Sequence, residues 1–137
     1  MMMQDCIFCK IVNGEIPCSK IYEDEKVLAF LDISPINKGH VLLIPKEHHK
    51  DLFDTPDDTL AAFAKTAKKI AKAIEQATDA DGINLGQNNG KAAGQEVFHA
   101  HIHIIPRFSD DGLKHWPGGK YKEGEEKEFA EKIRSKL

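Results

Sequence analysis

The sequence has no long apolar run. No segment approaches the ~18 consecutive apolar residues of a membrane-spanning helix, and the amino-terminal stretch lacks the apolar core of a signal peptide. There is no excess of positive charge either, because 19 basic residues stand against 22 acidic ones. These absences give no reason to expect a membrane or nucleic-acid partner, and they favour a cytoplasmic protein. A small phosphorylated ligand is still compatible with them, because local donors rather than net charge would hold it.

Cysteine is scarce as well, with three residues in a chain of 137. That number is too small for a disulfide framework. In a reducing compartment the Cys-x-x-Cys pair formed by Cys6 and Cys9 is typical of half a metal site or of a redox pair. The redox interpretation is the weaker one, since the sequence lacks the βαβ context of thioredoxin-like proteins. We interpret Cys18 as a bystander thiol.

The composition is that of an ordinary globular protein, 41% hydrophobic and 30% charged. A chain of this length can bury one sizeable core without disulfides, and neither a repeat nor a low-complexity linker divides it. We therefore expect a single domain over residues 1–137.

Hydrophobic periodicity predicts several strands and a long helix. Residues 26–32 alternate with both faces largely apolar, which is typical of a central strand, and residues 40–45 form a buried run closed by Pro45. The other predicted strands are 19–23, 83–88 and a histidine-rich stretch at 98–107. The expected fold class is α+β, an antiparallel sheet of about five strands with the long helix across it.

Three helices are predicted. A short amino-terminal helix over residues 6–12 ends at an Asn-Gly pair. The long amphipathic helix starts with Thr55 as its N-cap and Pro56 at its first helical position, and it ends near Ala77. A carboxy-terminal surface helix is expected to pack through one stripe at four-residue steps, formed by Phe129, Ile133 and Leu137.

The most distinctive motif is a row of three histidines, His99, His101 and His103. Successive side chains of a strand alternate between faces, so these imidazoles fall on one face at steps of about 6.6 Å. A single strand histidine is more often a core or surface residue, but chance does not readily place three in register. Imidazole serves as nucleophile, proton carrier or metal ligand near neutral pH, so the row indicates an active-site strand.

This His-φ-His-φ-His-φ-φ pattern, in which φ is apolar, resembles the histidine triad (HIT) superfamily of nucleotide hydrolases and transferases. It is most similar to the nucleotide-binding (Hint-like, purine nucleoside phosphoramidase) branch. The resemblance runs from about Cys6 to Trp116 and leaves residues 117–137 as a carboxy-terminal extension. It implies a HIT-like fold and a homodimer.

The resemblance also implies a reaction. A purine nucleoside 5′-phosphate derivative, either a phosphoramidate or an acyl-adenylate, would be hydrolysed through a covalent nucleotidyl-histidine, releasing a nucleoside monophosphate. The alternatives are a dinucleoside polyphosphate hydrolase of the same superfamily and a non-catalytic nucleotide-binding or interaction module.

Roles for individual residues follow from the same resemblance. It implies that His101 is the nucleophile and that His99 orients it. The implied donors around the phosphate are His103, His40, Asn88 and Gln95. On the nucleoside side, Asp32 would bind the ribose hydroxyls, which suits a carboxylate with two acceptor oxygens. The apolar positions implied to sandwich the purine are Phe8, Ile11, Ile33 and Leu42.

Some superfamily members also carry an amino-terminal cysteine pair, and resemblance to them implies a zinc site in this chain. The implied ligands are Cys6, Cys9, His48 and His99. Two thiolates and two imidazoles suit the tetrahedral preference of Zn²⁺, which would staple the fold rather than take part in the reaction. His49 competes for the fourth position, and an empty reduced cysteine pair is the alternative to metal. No carboxylate cluster for Mg²⁺ accompanies the motif.

Two features depart from the branch. Glu96 stands where members often have Ser or Thr, and an ionised carboxylate cannot donate a hydrogen bond to a phosphate or leaving group. That change would alter the substrate preference or direct Glu96 toward a cationic leaving group. The extension 117–137 is expected to reshape the mouth of the site. Trp116 is expected to reach toward the partner's site, with a local core contact as the alternative.

Overall fold

Within Met3 and residues 5–137, which the computed structural model describes, the chain forms five strands and three α-helices. In chain order the elements are α1 (Ile7–Val12), β1 (Lys20–Glu23), β2 (Val27–Leu31), β3 (Val41–Pro45), α2 (Asp57–Thr78), β4 (Gly82–Gly86), a 3₁₀ turn (Lys91–Ala93), β5 (Ile102–Arg107) and α3 (Glu125–Arg134). The strands form one sheet in the order β1-β2-β3-β5-β4, and every neighbouring pair is antiparallel. The predicted α+β class with a five-stranded antiparallel sheet is confirmed. None of the described helices is long and apolar enough to span a membrane.

Both faces of the sheet are covered, because β2 and β3 carry apolar side chains on alternate sides. The core between the sheet and α2 consists of Val27, Ala29, Val41, Leu43, Phe63, Ala67, Ile70, Ile74 and Ile104. The core on the opposite face, beside α1, consists of Phe8, Leu28, Phe30, Leu42 and Ile44. His103 of β5 pairs with Leu42 of β3, and directly paired residues share a face. His103 therefore lies on the α1 side of the sheet.

The long helix α2 follows the predicted periodicity but begins later than expected. Pro56 is its extended N-cap residue, and the helix runs over Asp57–Thr78. The prediction that Thr55 caps the helix was wrong, because its hydroxyl donates instead to the carbonyl oxygen of Asp51, 2.6 Å away. The threonine thus closes the preceding turn, and in the part of the chain that the structure describes no side chain caps the helix.

The histidine strand is shorter than predicted. β5 begins at Ile102, so only the second part of the predicted stretch 98–107 pairs with β3 and β4. Ahead of it the backbone leaves the ladder, and the Ala100 N–H donates to the carbonyl oxygen of His49 at 2.7 Å. His99 therefore lies beyond the start of the strand, next to the segment that follows β3.

The carboxy-terminal helix α3 forms as predicted, but its apolar stripe is exposed. Phe129 is 44% exposed, Ile133 61% and Leu137 101%. The expectation that this stripe packs against the domain was wrong. Periodicity predicts an apolar face, and it carries no information on whether another part of the chain covers that face.

Candidate active site

The histidine row meets α1 on the face of the sheet opposite α2. The rings of His101 and His103 lie 5.0 Å apart between centroids. Phe8 of α1 packs edge-on against His101 at 5.2 Å. His40, the residue before β3, brings its Nε2 to 2.9 Å from the Nδ1 of His103. The three histidines expected to act on a phosphate thus lie side by side.

His101 is held with one ring nitrogen free. Its Nδ1 lies 2.8 Å from the backbone oxygen of His99, and because a carbonyl oxygen only accepts, Nδ1 carries the proton. The lone pair of Nε2 is then available to a phosphorus atom. Burial lowers the pKa of His101, against the opposing effect of the bond to His99. The lowered pKa favours the neutral ring that a nucleophile requires.

A chain of hydrogen bonds fixes the protons of His40 and His103. The backbone N–H of Ile36 donates to the Nδ1 of His40 at 3.1 Å. Neutral His40 therefore keeps its proton on Nε2 and donates it to the Nδ1 of His103. His103 in turn carries its proton on Nε2, where it can donate to a phosphate oxygen. Burial, together with the neighbouring His101 and His40, lowers the pKa of His103 to about 4, so this donor is neutral at pH 7.

The turn ahead of β3 sets the position of His40. Gly39 has a φ of 101°, a left-handed conformation, and a Cβ there would meet the Cγ2 of Thr78 at 3.0 Å. The His40 N–H donates to the carbonyl oxygen of Asn37 at 3.1 Å. The turn therefore requires glycine and lies against the end of α2, which fixes where His40 enters the site.

Asp32, directly after β2, reaches the same group. Its Oδ1 accepts from the N–H of Ser34 at 2.8 Å, and its Oδ2 lies 3.7 Å from the Nε2 of His40. Asp32, His40 and His103 each offer an atom within 4.8 Å of the others, so proximity alone would admit a metal ion. The proton that Ile36 imposes on His40 Nε2 opposes this, because a ligating nitrogen must be unprotonated. We therefore interpret the group as a hydrogen-bonded relay.

A second cluster joins α1 to the start of the histidine row. The Sγ of Cys6 lies 3.3 Å from the Nδ1 of His99. The Sγ of Cys9 lies 3.6 Å from the same nitrogen and 3.4 Å from the Nδ1 of His48. Ligands of a tetrahedral Zn²⁺ stand roughly 3.3–3.8 Å apart, given bonds of about 2.0–2.3 Å. Among the described residues these four form a group that could hold a metal ion, and His49 is not part of it.

The tautomer of His99 fits a metal ligand. Its Nε2 lies 2.7 Å from the carbonyl oxygen of Pro45 and so carries the proton, which leaves the lone pair of Nδ1 facing the two sulfurs. Metal-binding histidines commonly donate their other ring N–H to such an acceptor. Burial lowers the pKa of His99 to about 4, so the ring is neutral. The residues present therefore fit a closed metal site between α1, the segment after β3 and the histidine row.

Comparison with known proteins shows the family to which the chain belongs. The HIT domain family matches residues 13–110, more than half of the chain. The chain belongs to the HIT family. The resemblance drawn from the histidine row is thereby confirmed.

Three relatives illustrate matches over nearly the whole length of this HIT protein. It is 45% identical over 134 residues to the adenosine 5′-monophosphoramidase hnt1 of Schizosaccharomyces pombe, which covers 96% of this chain and 98% of the relative. It is similar to the crystal structure of a HIT family member from Bacillus subtilis, with a TM-score of 0.91 and 43% identity over 98% of both chains. A Zn-bound histidine triad family protein from Mycobacterium smegmatis matches with a TM-score of 0.77 and 41% identity, over 97% of this chain and 98% of that one.

The apolar residues expected to hold a purine are only partly assembled in this HIT protein. Phe8 and Leu42 share the core beside α1, and Ile11 packs against that core. Ile33 does not join them, since it is 97% exposed directly after Asp32. Purine binding by these residues stays a prediction.

Gln95 and Asn88, both expected to donate to the phosphate, differ in whether their side-chain amides already have strong partners. The buried Gln95 amide donates to the carbonyl oxygens of Lys50 at 2.7 Å and Val97 at 3.0 Å, and its oxygen accepts from the N–H of Gly90. Both amide protons are used, so we assign Gln95 to the shape of the loop. Asn88 is half-buried and shares a cavity with His103, where it is available to a ligand.

That cavity, of about 610 Å³, also contains residues that sequence reasoning missed. The clearest is Gln87, whose Nε2 is buried without a hydrogen-bond partner in the part of the chain that the structure describes. A buried donor without a partner is costly unless a ligand satisfies it. The only sequence signal for Gln87 was its place beside Asn88.

The segment after β5 forms a wall of the same cavity. The Nε of Arg107 donates to Asp111 at 2.7 Å, and its Nη1 donates to Asn84 at 2.7 Å. The guanidinium holds the pKa of Asp111 well below its usual range. Trp116, further along the wall, is 90% exposed and therefore makes no local core contact.

Glu96 lies away from this wall. It is exposed and lines a separate cavity of about 640 Å³ together with Cys6, His48 and Lys50. The structure thus places the carboxylate on the side of the metal-ligand cluster. Glu96 does not line the cavity that His103 lines, and its expected effect on substrate preference or on a cationic leaving group stays a prediction.

Proposed function

We propose that this HIT protein is a nucleotide hydrolase or transferase that cleaves a purine nucleoside 5′-phosphate derivative, a phosphoramidate or an acyl-adenylate. The observation that carries the proposal is the free Nε2 of His101 beside the neutral donor His103. The HIT family match and the adenosine 5′-monophosphoramidase among the relatives support a nucleotide hydrolase.

In the proposed reaction, His101 Nε2 attacks the phosphorus, the bond to the leaving group breaks, and a leaving amine takes up a proton that the attacking water of the second step replaces. The phosphorus–nitrogen bond to His101 holds the nucleotide until water cleaves it, releasing a nucleoside monophosphate and restoring the imidazole. The His101 Nδ1–H remains bonded to His99 throughout. His103 donates from Nε2 to the non-bridging oxygens, where charge develops.

The nucleoside end of the substrate would bind beside α1. Asp32 supplies a carboxylate oxygen for the ribose hydroxyls, and Phe8, Ile11 and Leu42 form the apolar wall for the purine. Ile33 is exposed and free to pack against the base.

Product release assays distinguish this function from the alternative functions. The purified protein is expected to release AMP from adenosine 5′-phosphoramidate faster than it cleaves a diadenosine polyphosphate. The opposite order would favour the dinucleoside polyphosphate hydrolase. Nucleotide binding without turnover of either compound would favour a binding module.

We also propose that the cluster of Cys6, Cys9, His48 and His99 binds one structural Zn²⁺. Its support is the spacing of the four ligand atoms and the tautomer of His99. The bound cation would link α1 to the segment after β3 and to the histidine row, without contact to the reacting phosphate.

Metal analysis tests the zinc proposal. Protein purified without added zinc is expected to contain one zinc per chain, and Cys9→Ser and His48→Ala should each lose it because a tetrahedral site needs all four ligands. The matched control is His49→Ala, which should keep the metal. Absence of zinc from the parent protein would refute the proposal, and retention in His48→Ala with loss in His49→Ala would reassign the ligand.

The partner proposal is a homodimer in which the segment around Trp116 reaches the other protomer's site. Its support is the exposed Trp116 beside the His103 cavity and the edge strand β4, whose Leu85 is 57% exposed. Light scattering at micromolar concentration should give twice the chain mass. A particle near 15.3 kDa would contradict the dimer.

The cytoplasmic location and the single domain over residues 1–137 stay predictions from the sequence.

A further inference from the structure

The two cysteines of the metal-ligand cluster differ in exposure. Cys6 is half-buried and lines the cavity of about 640 Å³ together with His48 and Lys50. Cys9, one helical turn further along α1, is 1% exposed. Cys6 is therefore the more accessible of the two cysteines to a small oxidant, and the two sulfurs lie within 4.8 Å of each other.

The same cluster is linked to the candidate nucleophile through a single residue. The Nδ1 of His99 faces the two sulfurs, and the backbone oxygen of His99 accepts the proton on His101 Nδ1. Phe8, between the two cysteines in sequence, packs edge-on against both rings, at 5.8 Å from His99 and 5.2 Å from His101. The sulfurs thus lie against the residue whose backbone oxygen sets the His101 tautomer.

We propose that Cys6 and Cys9 form an oxidation-sensitive site: a hydroperoxide converts the pair to a disulfide, the bound metal leaves, and His101 loses its fixed orientation. The inference rests on the proposed function only for its effect on turnover. The proposal goes beyond a structural zinc site, because loss of the metal would change the orientation of the nucleophile His101.

The chemistry balances with hydrogen peroxide as the oxidant. The Cys6 thiolate attacks one peroxide oxygen, the O–O bond breaks, and a sulfenic acid and hydroxide form. The Cys9 thiolate then attacks the Cys6 sulfur, the S–S bond forms and a second hydroxide leaves. Two electrons pass from the sulfur pair to the peroxide. The metal loses two of its four thiolate and imidazole ligands and dissociates.

Cys18 provides an internal control. It is half-buried and packs against the core beside α1, and it belongs to neither histidine cluster. Cys18→Ser should therefore respond to peroxide as the parent protein does.

The experiment treats the zinc-loaded full chain with hydrogen peroxide and follows four readouts. These are zinc release to a colorimetric chelator, peptide mapping of disulfides, the His101 tautomer in long-range ¹H–¹⁵N spectra, and AMP release from adenosine 5′-phosphoramidate. One zinc should leave per Cys6–Cys9 disulfide formed, and the His101 signals should change from a pure Nδ1–H form to a mixture. AMP release should fall roughly 10- to 100-fold, the range seen when the support of a site residue is lost. Dithiothreitol with zinc should reverse all four changes.

Three results would overturn the proposal. Zinc kept with all cysteines reduced under excess peroxide would remove the oxidation site. A disulfide between Cys18 and another cysteine would show that the oxidation site is not the Cys6–Cys9 pair. Zinc loss with an unchanged His101 tautomer would break the link to the nucleophile. Absence of AMP release before peroxide would count against the proposed function alone. The oxidation proposal would still be tested by zinc release, disulfide mapping and the His101 tautomer.

Discussion

Replacing His101 by alanine is expected to lower nucleoside monophosphate release by roughly 10⁴- to 10⁶-fold, or roughly 5–8 kcal/mol of lost barrier reduction. The loss is large because water must then attack the phosphorus directly, without the covalent step. Steady-state turnover of adenosine 5′-phosphoramidate measures it.

Two controls belong with the His101 variant. His49→Ala removes a histidine that lies in neither cluster and is expected to keep turnover near that of the parent. Nucleotide affinity of His101→Ala, measured by calorimetry, should stay close to that of the parent, since the ribose and purine contacts are untouched. Full activity of His101→Ala would mean that the row binds nucleotide without attacking it.

His103→Ala is expected to be milder, with a loss of roughly 10²- to 10⁴-fold in turnover. The variant loses the Nε2–H donor at the phosphate and leaves the His40 Nε2–H without its acceptor, but the nucleophile is intact. Single-turnover kinetics measure the chemical step free of product release.

His103→Gln is the matched variant, because its side-chain amide retains an N–H donor. It should lose less than His103→Ala if donation from this position is what matters. Equal losses in the two variants, both as large as that of His101→Ala, would contradict the assigned roles.

Much of the fold could be predicted from sequence, because its signals are local. The alternation in β2, with both faces apolar, marks a strand covered on two sides, and the three- and four-residue spacing in α2 marks a helix with one buried face. The expected class is confirmed. The unpacked stripe of α3 shows the limit, since the periodicity of Phe129 and Ile133 predicts a face and not its partner.

The candidate site was predictable in its residue types but not in its proton positions. The tautomers of His40 and His99 depend on contacts with the backbone of Ile36 and Pro45, and the His99 contact joins residues far apart in sequence. Gln95 shows the same limit. Its amide donates to the backbone oxygen of Lys50, and no local sequence pattern predicts a contact between residues so far apart. Gln87 was missed because its only sequence signal was its place beside Asn88, and sequence does not show that its amide lacks a partner among the described residues.

The proposed reaction passes through a covalent bond between His101 and the nucleotide, which rapid quenching can trap. Protein mixed with radiolabelled adenosine 5′-phosphoramidate is stopped in alkali, where phosphoramidate bonds survive, and its peptides are mapped. We expect one labelled nucleotide on the peptide containing His101, at the imidazole of that residue. Label on His99 or His103, or turnover without any labelled peptide at the earliest times, would contradict it.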